Sequence, residues 1–203
     1  MGLPEAWQTF PESERLAQPE MFRCITKIVR QETERLGRPA VCVEIGAWCG
    51  ASAVAMAEGG GWVISVDTFR ASDRYTGEAA LRRIRSEQTQ TFEPFTRRVR
   101  ESGWAAQIVA VVAWSTDAAE LLGENTVDLL YVDGDHEPAS VLADLAVWWP
   151  TVRPGGLILG HDWSLTERSV VAFSQLMRVT VARPNESPDC LPDQLWAIRK
   201  PVE

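Results

Sequence analysis

Five short apolar runs alternate with helix-like segments along this chain, and that rhythm restricts its fold more than any other feature. Val41–Ile45, Trp62–Val66, Gln107–Val112, Val127–Val132 and Gly156–Gly160 read as strands of five or six residues. Helices are expected over Ala51–Glu58, Thr116–Leu122 and Pro138–Trp149, the last opened by a proline that suits a first helical turn and closed by Pro150. Ahead of the first strand, Met21, Phe22, Ile25, Ile28, Val29 and Leu36 recur at helical spacing before Gly37, which predicts a helix over Met21–Leu36. A helix over Glu167–Leu176 and strands at Arg178–Ala182 and Gln194–Arg199 complete the chain. Apolar strands joined by helices predict an α/β fold, a parallel sheet covered on both faces. Ligands of such sheets sit at the carboxyl ends of the strands.

With 203 residues, 45% hydrophobic and 24% charged, the chain has the composition of one folded domain rather than a disordered one. Residues 1–18, rich in Pro, Glu and Gln, are expected to form an arm ahead of a single domain at 19–203. No apolar stretch approaches the ~18 residues that span a bilayer, and MGLPEAW lacks a leader pattern, so neither membrane nor export is expected. A net charge of −8 argues against a general nucleic-acid binder. Cys24, Cys42, Cys49 and Cys190 form no zinc-like spacing and read as free thiols of a cytoplasmic protein. Residues 69–104 interrupt the rhythm. They are polar and arginine-rich, and are expected to form a lid-like insertion favouring an anionic or polar acceptor.

The unusual residues gather at strand ends. The first strand runs into Glu44-Ile45-Gly46-Ala47-Trp48-Cys49-Gly50, whose glycines allow a sharp turn and close approach of a ligand. The pattern is GxxxG, not the GxGxxG of a dinucleotide site, which disfavours a nicotinamide oxidoreductase. Asp67 ends the second strand, where an acid can accept both ribose hydroxyls of an adenosine. The fourth strand leads into Asp133-Gly134-Asp135-His136 and the fifth into Gly160-His161-Asp162-Trp163. Neighbouring strands lie ~4.8 Å apart, so Asp133 and Asp162 should converge. Two close carboxylates invite a hard divalent ion such as magnesium. His136, opening a helix, is expected to stay neutral at pH 7 through the helix dipole and to serve as a base.

VEIGAWCG, SVDTF, VDLLYVDGDHEPASVLADL and WWPTVRPGGLILGHDW together resemble the class I S-adenosylmethionine-dependent methyltransferases, in particular the small-molecule O-methyltransferase branch, over roughly residues 40–175. The resemblance implies a Rossmann-like, doubly wound sheet of seven strands, mostly parallel, with the last strand antiparallel. By it, Glu44, Gly46, Ala47 and Gly50 would line the methionine end and Asp67 would hold the ribose. Phe69 would approach the adenine from one side, and Trp114 and Ser115 would flank it from another. Asp133 would border the cofactor and act in catalysis with His136, while Asp133, Asp162 and His161 would hold Mg2+ or another divalent cation. Catechol-type relatives carry Asn directly after the second metal Asp; this chain has His161-Asp162-Trp163. The implied activity is methyl transfer from S-adenosylmethionine to a small-molecule hydroxyl. A non-catalytic cofactor-binding subunit serving a partner is the alternative, and a homo-oligomer is left open.

Overall fold

Val127–Val132 forms a strand, β4, that is buried at every position, as a strand covered on both faces must be. In the computed structural model, which describes residues 19–70, 91–183 and 194–202, β4 is the middle strand of a seven-stranded sheet. The others are β1 (Val41–Ile45), β2 (Trp62–Asp67), β3 (Ile108–Val112), β5 (Val152–Gly160), β6 (Val181–Ala182) and β7 (Trp196–Arg199). Their order is β3-β2-β1-β4-β5-β7-β6. β1 to β5 run parallel, and β7 inserts antiparallel between β5 and β6. This is the doubly wound, Rossmann-like architecture expected.

The period-2 alternation of the strands builds two cores. Cys42, Leu129, Tyr131, Leu157 and Leu159 face helices α1 (Pro19–Leu36) and α2 (Ala51–Glu58). Val43, Ile45, Leu130, Val132 and Ile158 face the other layer. That layer holds α4 (Ser115–Ala119), α5 (Pro138–Trp148) and α6 (Trp163–Met177). Each of these aliphatic side chains contributes about 1.5–3 kcal/mol by leaving water. Between β2 and β3, α3 (Phe92–Ser102) packs on α2. The expected arm at 1–18, most of the insertion (71–90) and Cys190 lie outside the described residues.

The helix expected over Thr116–Leu122 ends at Ala119, and the strands expected from Arg178 and Gln194 start at Val181 and Trp196; two further boundaries differ for local reasons. β5 starts at Val152 rather than Gly156, because a register shift between Val127 and Leu129 lets Val152 pair ahead of the glycines. α6 starts at Trp163, since Asp162 turns the chain through a left-handed conformation (φ 51°) and its carbonyl accepts the Thr166 N–H at 3.0 Å.

Candidate active site

Strand register sets the site. Ile45, Val132 and Gly160 are cross-strand partners in β1, β4 and β5, so Gly46, Asp133 and His161 leave the sheet side by side. The Asp133 N–H donates to the Ile45 carbonyl at 2.9 Å, and the His161 N–H donates to the Val132 carbonyl at 3.2 Å. Gly46 (φ 87°) permits this closeness, since a Cβ there would stand 2.2 Å from the Asp133 carbonyl oxygen. Above these strand ends opens a cleft of about 470 Å³.

At its β2 side, Asp67 accepts the Trp48 N–H at 2.8 Å and the Phe69 N–H at 2.7 Å. Burial raises its carboxyl pKa, and these backbone donors oppose the shift. Trp48 (φ 44°) and Phe69 (φ 52°) are left-handed, a costly backbone state for bulky residues that the turn around Asp67 imposes.

At the β4–β5 side four titratable groups meet. His136 Nε2 lies 2.8 Å from Asp162 Oδ2 and 3.9 Å from Asp133 Oδ1. His161 Nδ1 lies 3.3 Å from Asp162 Oδ2 and 3.5 Å from Asp133 Oδ1. The fully buried Tyr131 hydroxyl donates to Asp133 Oδ2 at 3.1 Å. The convergence of Asp133 and Asp162 expected from strand spacing is thus present, with both histidines nearest Asp162 and within 4 Å of Asp133.

The expected neutrality of His136 is corrected here. Contact with Asp133 and Asp162 pushes its pKa up to about 9. For His161 burial opposes the charge, yet the same carboxylates carry its pKa to about 10. Burial acts to raise the Asp162 carboxyl as well, but the two imidazoles hold it well below the usual range. Two carboxylates within 4 Å outweigh the partial charge of a helix end. His136 also stands two residues ahead of α5, and its neighbour Asp135 accepts the Glu137 N–H at 3.1 Å and the Ser140 hydroxyl at 2.8 Å.

Gly46, Ala47, Asp67, Trp114, Ser115, Asp133, His136, His161 and Asp162 all line the cleft, Trp114 at an exposed position. Gly50 lies just behind the wall, where a Cβ would meet the Phe95 ring at 2.8 Å. Two expected contacts are corrected. Phe69 is buried, edge-on to Phe92 and Phe95, and reaches the site only through its backbone N–H. Glu44 is fully buried beneath the glycine turn, accepting the hydroxyls of Ser52 and Ser65. Burial pushes its carboxyl up to about 8 despite those donors.

Two buried charged residues of the cleft wall were not singled out from the sequence. Arg98, on α3, is 2% exposed and lines the wall; nothing in the sequence separated it from its arginine neighbours. Asp144, on α5, is 6% exposed and lines the wall beside Ser115. Its signal was legible, as the single acid of the otherwise apolar VLADLAVW.

A methyltransferase-domain family matches residues 43–163. The uncharacterized protein y4gI of Sinorhizobium fredii is 26% identical over 156 residues, 73% of this chain. The chain spans only 16% of the length of that relative. The O-methyltransferase from Bacillus cereus, in complex with SAH, superposes with a TM-score of 0.66 at 15% identity, covering 98% of this chain and 90% of that one. TomG, an O-methyltransferase from Streptomyces achromogenes involved in tomaymycin synthesis and solved with SAM, gives 0.63 at 14% identity, covering 98% and 86%. At such identities the likeness is one of fold.

Proposed function

The chain belongs to the methyltransferase-domain family, and from that membership we propose that it transfers the methyl group of S-adenosylmethionine to a hydroxyl oxygen of a small molecule. The observation that carries this reading is the single cleft with Asp67 at one end and the Asp133–His136–His161–Asp162 cluster at the other. A nucleoside would lie over β1 and β2, and an acceptor over β4 and β5. The acceptor hydroxyl would give up its proton to solvent, or at alkaline pH to His136, and its oxygen would then attack the methyl carbon in line as the carbon–sulfur bond breaks and its electron pair stays on sulfur, leaving S-adenosylhomocysteine. Alignment of the two reactants in a water-poor cleft supplies most of the acceleration.

The donor set fits a divalent ion: one ligand atom from each of Asp133, His136 and Asp162 lies within 4.8 Å of the others, and His161 Nδ1 borders both carboxylates. Two imidazoles among the donors suit a first-row transition ion better than the magnesium expected from carboxylates alone. When bound, such an ion lowers the pKa of an acceptor hydroxyl. In the ion-free chain both imidazoles hold protons at pH 7, so there they favour the deprotonated, anionic form of the acceptor before transfer, and His136 acts as a base only at alkaline pH.

Calorimetric titration with S-adenosylhomocysteine, followed by methyl transfer onto a panel of phenols, sugars and polyketides, tests the reading. Binding and a methylated oxygen on one panel class support it. Tight cofactor binding with no transfer replaces it with a non-catalytic cofactor-binding subunit, and tighter binding of NAD overturns both.

A further inference from the structure

Tyr131 carries a hydroxyl into a part of the core where a phenylalanine would fill the same space. It stands next to last in β4, 0% exposed, in the layer that holds Leu129, Leu159 and Met21. A phenol buried there is costly unless its O–H finds an acceptor. The period of 2 puts residues 131 and 133 on one side of the strand end, and the Tyr131 hydroxyl donates to Asp133 Oδ2 at 3.1 Å. Met21 Sδ, at 4.0 Å, is the weaker acceptor beside it.

This bond makes the two oxygens of Asp133 unequal. Oδ2 is held from beneath by the phenol, whereas Oδ1 lies 3.5 Å from His161 Nδ1 and 3.9 Å from His136 Nε2. The side of the carboxylate that faces the cluster is therefore a single oxygen. Resting on the ion site read between Asp133, His136 and Asp162, we propose that Tyr131 is a positioning residue that commits Asp133 to one-oxygen donation and so sets the site against calcium. Calcium takes about six to eight oxygens and readily grips a carboxylate by both. A first-row ion such as manganese completes its shell with imidazoles, water and single carboxylate oxygens. Hydrogen bonds that orient a ligand from behind set metal affinity by about 10–100-fold.

The test is calorimetry on the full chain, stripped of ions with EDTA and dialysed, titrated at pH 8 with manganese chloride and separately with calcium chloride. The wild-type chain should bind manganese at least about a hundredfold more tightly than calcium. Tyr131→Phe keeps the ring that fills the core and removes only the hydroxyl. In that variant manganese should weaken by about tenfold while calcium holds or tightens, because Asp133 can now offer both oxygens. A tyrosine that only fills the core would weaken both ions alike or neither, and an unchanged ratio overturns the proposal. Wild-type affinities that are equal for the two ions overturn it without any variant. A wild-type chain that takes up neither ion overturns the ion reading and this proposal together, while its titration with S-adenosylhomocysteine judges the methyl-transfer reading separately.

Discussion

Asp67 reaches the cleft with its carboxylate already fixed by two backbone N–H groups at 2.7 and 2.8 Å, so the ribose proposed to bind there would meet it without reorganising. Asp67→Ala is expected to weaken S-adenosylhomocysteine binding by on the order of 1.5–3 kcal/mol in calorimetry, and unchanged affinity would refute the ribose assignment. Gly46→Ala is the harsher change: its Cβ would meet backbone atoms of Asp133 and Gly134 at 2.2–2.7 Å. At φ 87° the new side chain is also strained. Soluble yield and thermal midpoint should both drop, and a variant as stable as wild type would mean that the β1 and β4 turns can separate. These residues were legible because strand ends of a parallel sheet are where ligands bind, and register alone brings Asp133 beside His161. Glu44 and Phe69 were misplaced because side-chain direction decides their role. Period 2 puts Glu44 on the same face as Cys42, under α2, and a left-handed turn swings Phe69 onto α3.

The elements are tied together at the end of the sheet opposite the cleft. Asp128, 1% exposed at the start of β4, accepts two hydrogen bonds from Arg38 at 2.7 and 2.8 Å and the Val41 N–H at 2.8 Å. Arg153 approaches it at 3.2 Å. This clasp joins the entries of β1, β4 and β5, and it holds the Asp128 carboxyl below its ordinary range although burial acts against it. Asp128→Asn keeps the volume but loses the charge-assisted fork, at an expected cost of about 2–3 kcal/mol in denaturant unfolding. Affinity of the folded protein for S-adenosylhomocysteine should stay unchanged, since the cleft lies at the other strand ends. Loss of affinity without loss of stability would contradict this separation of clasp and site. Strand and helix identities were readable from hydrophobic period and proline placement. The clasp was not, because Arg38 and Asp128 are 90 positions apart and nothing local marks either as a partner. The early start of α6 was hidden too, as it depends on Asp162 adopting a conformation that sequence pattern favours only weakly outside glycine.

Across the whole molecule, most of the shifted titratable groups of the site lean in one direction. Glu44 (to about 8), Asp144 (to about 6), His136 (to about 9) and His161 (to about 10) all bind protons more tightly folded than in their ordinary state. For each, the stabilising contribution is complete below the ordinary value, 4.5 for Glu, 3.8 for Asp and 6.5 for His, and is lost as pH rises through the folded value. Asp162 leans the other way, its contribution present above 3.8 and lost on acidification. Stability should therefore be greatest at about pH 4–4.5 and fall steadily from there to pH 9.5. Thermal unfolding in EDTA should show a midpoint lower at pH 9.5 than at pH 6 by on the order of 5 °C. His136→Gln, which leaves the carboxylates in place, should flatten that decline above pH 7. The same chemistry sets the response to a divalent ion. Two imidazolium protons balance two carboxylates at neutral pH, and a dication offers the same charge once those protons leave. Added manganese or zinc should raise the midpoint more at pH 8.5 than at pH 6. An ion effect independent of pH, or equal in Asp162→Asn, would place metal binding somewhere other than between Asp133 and Asp162.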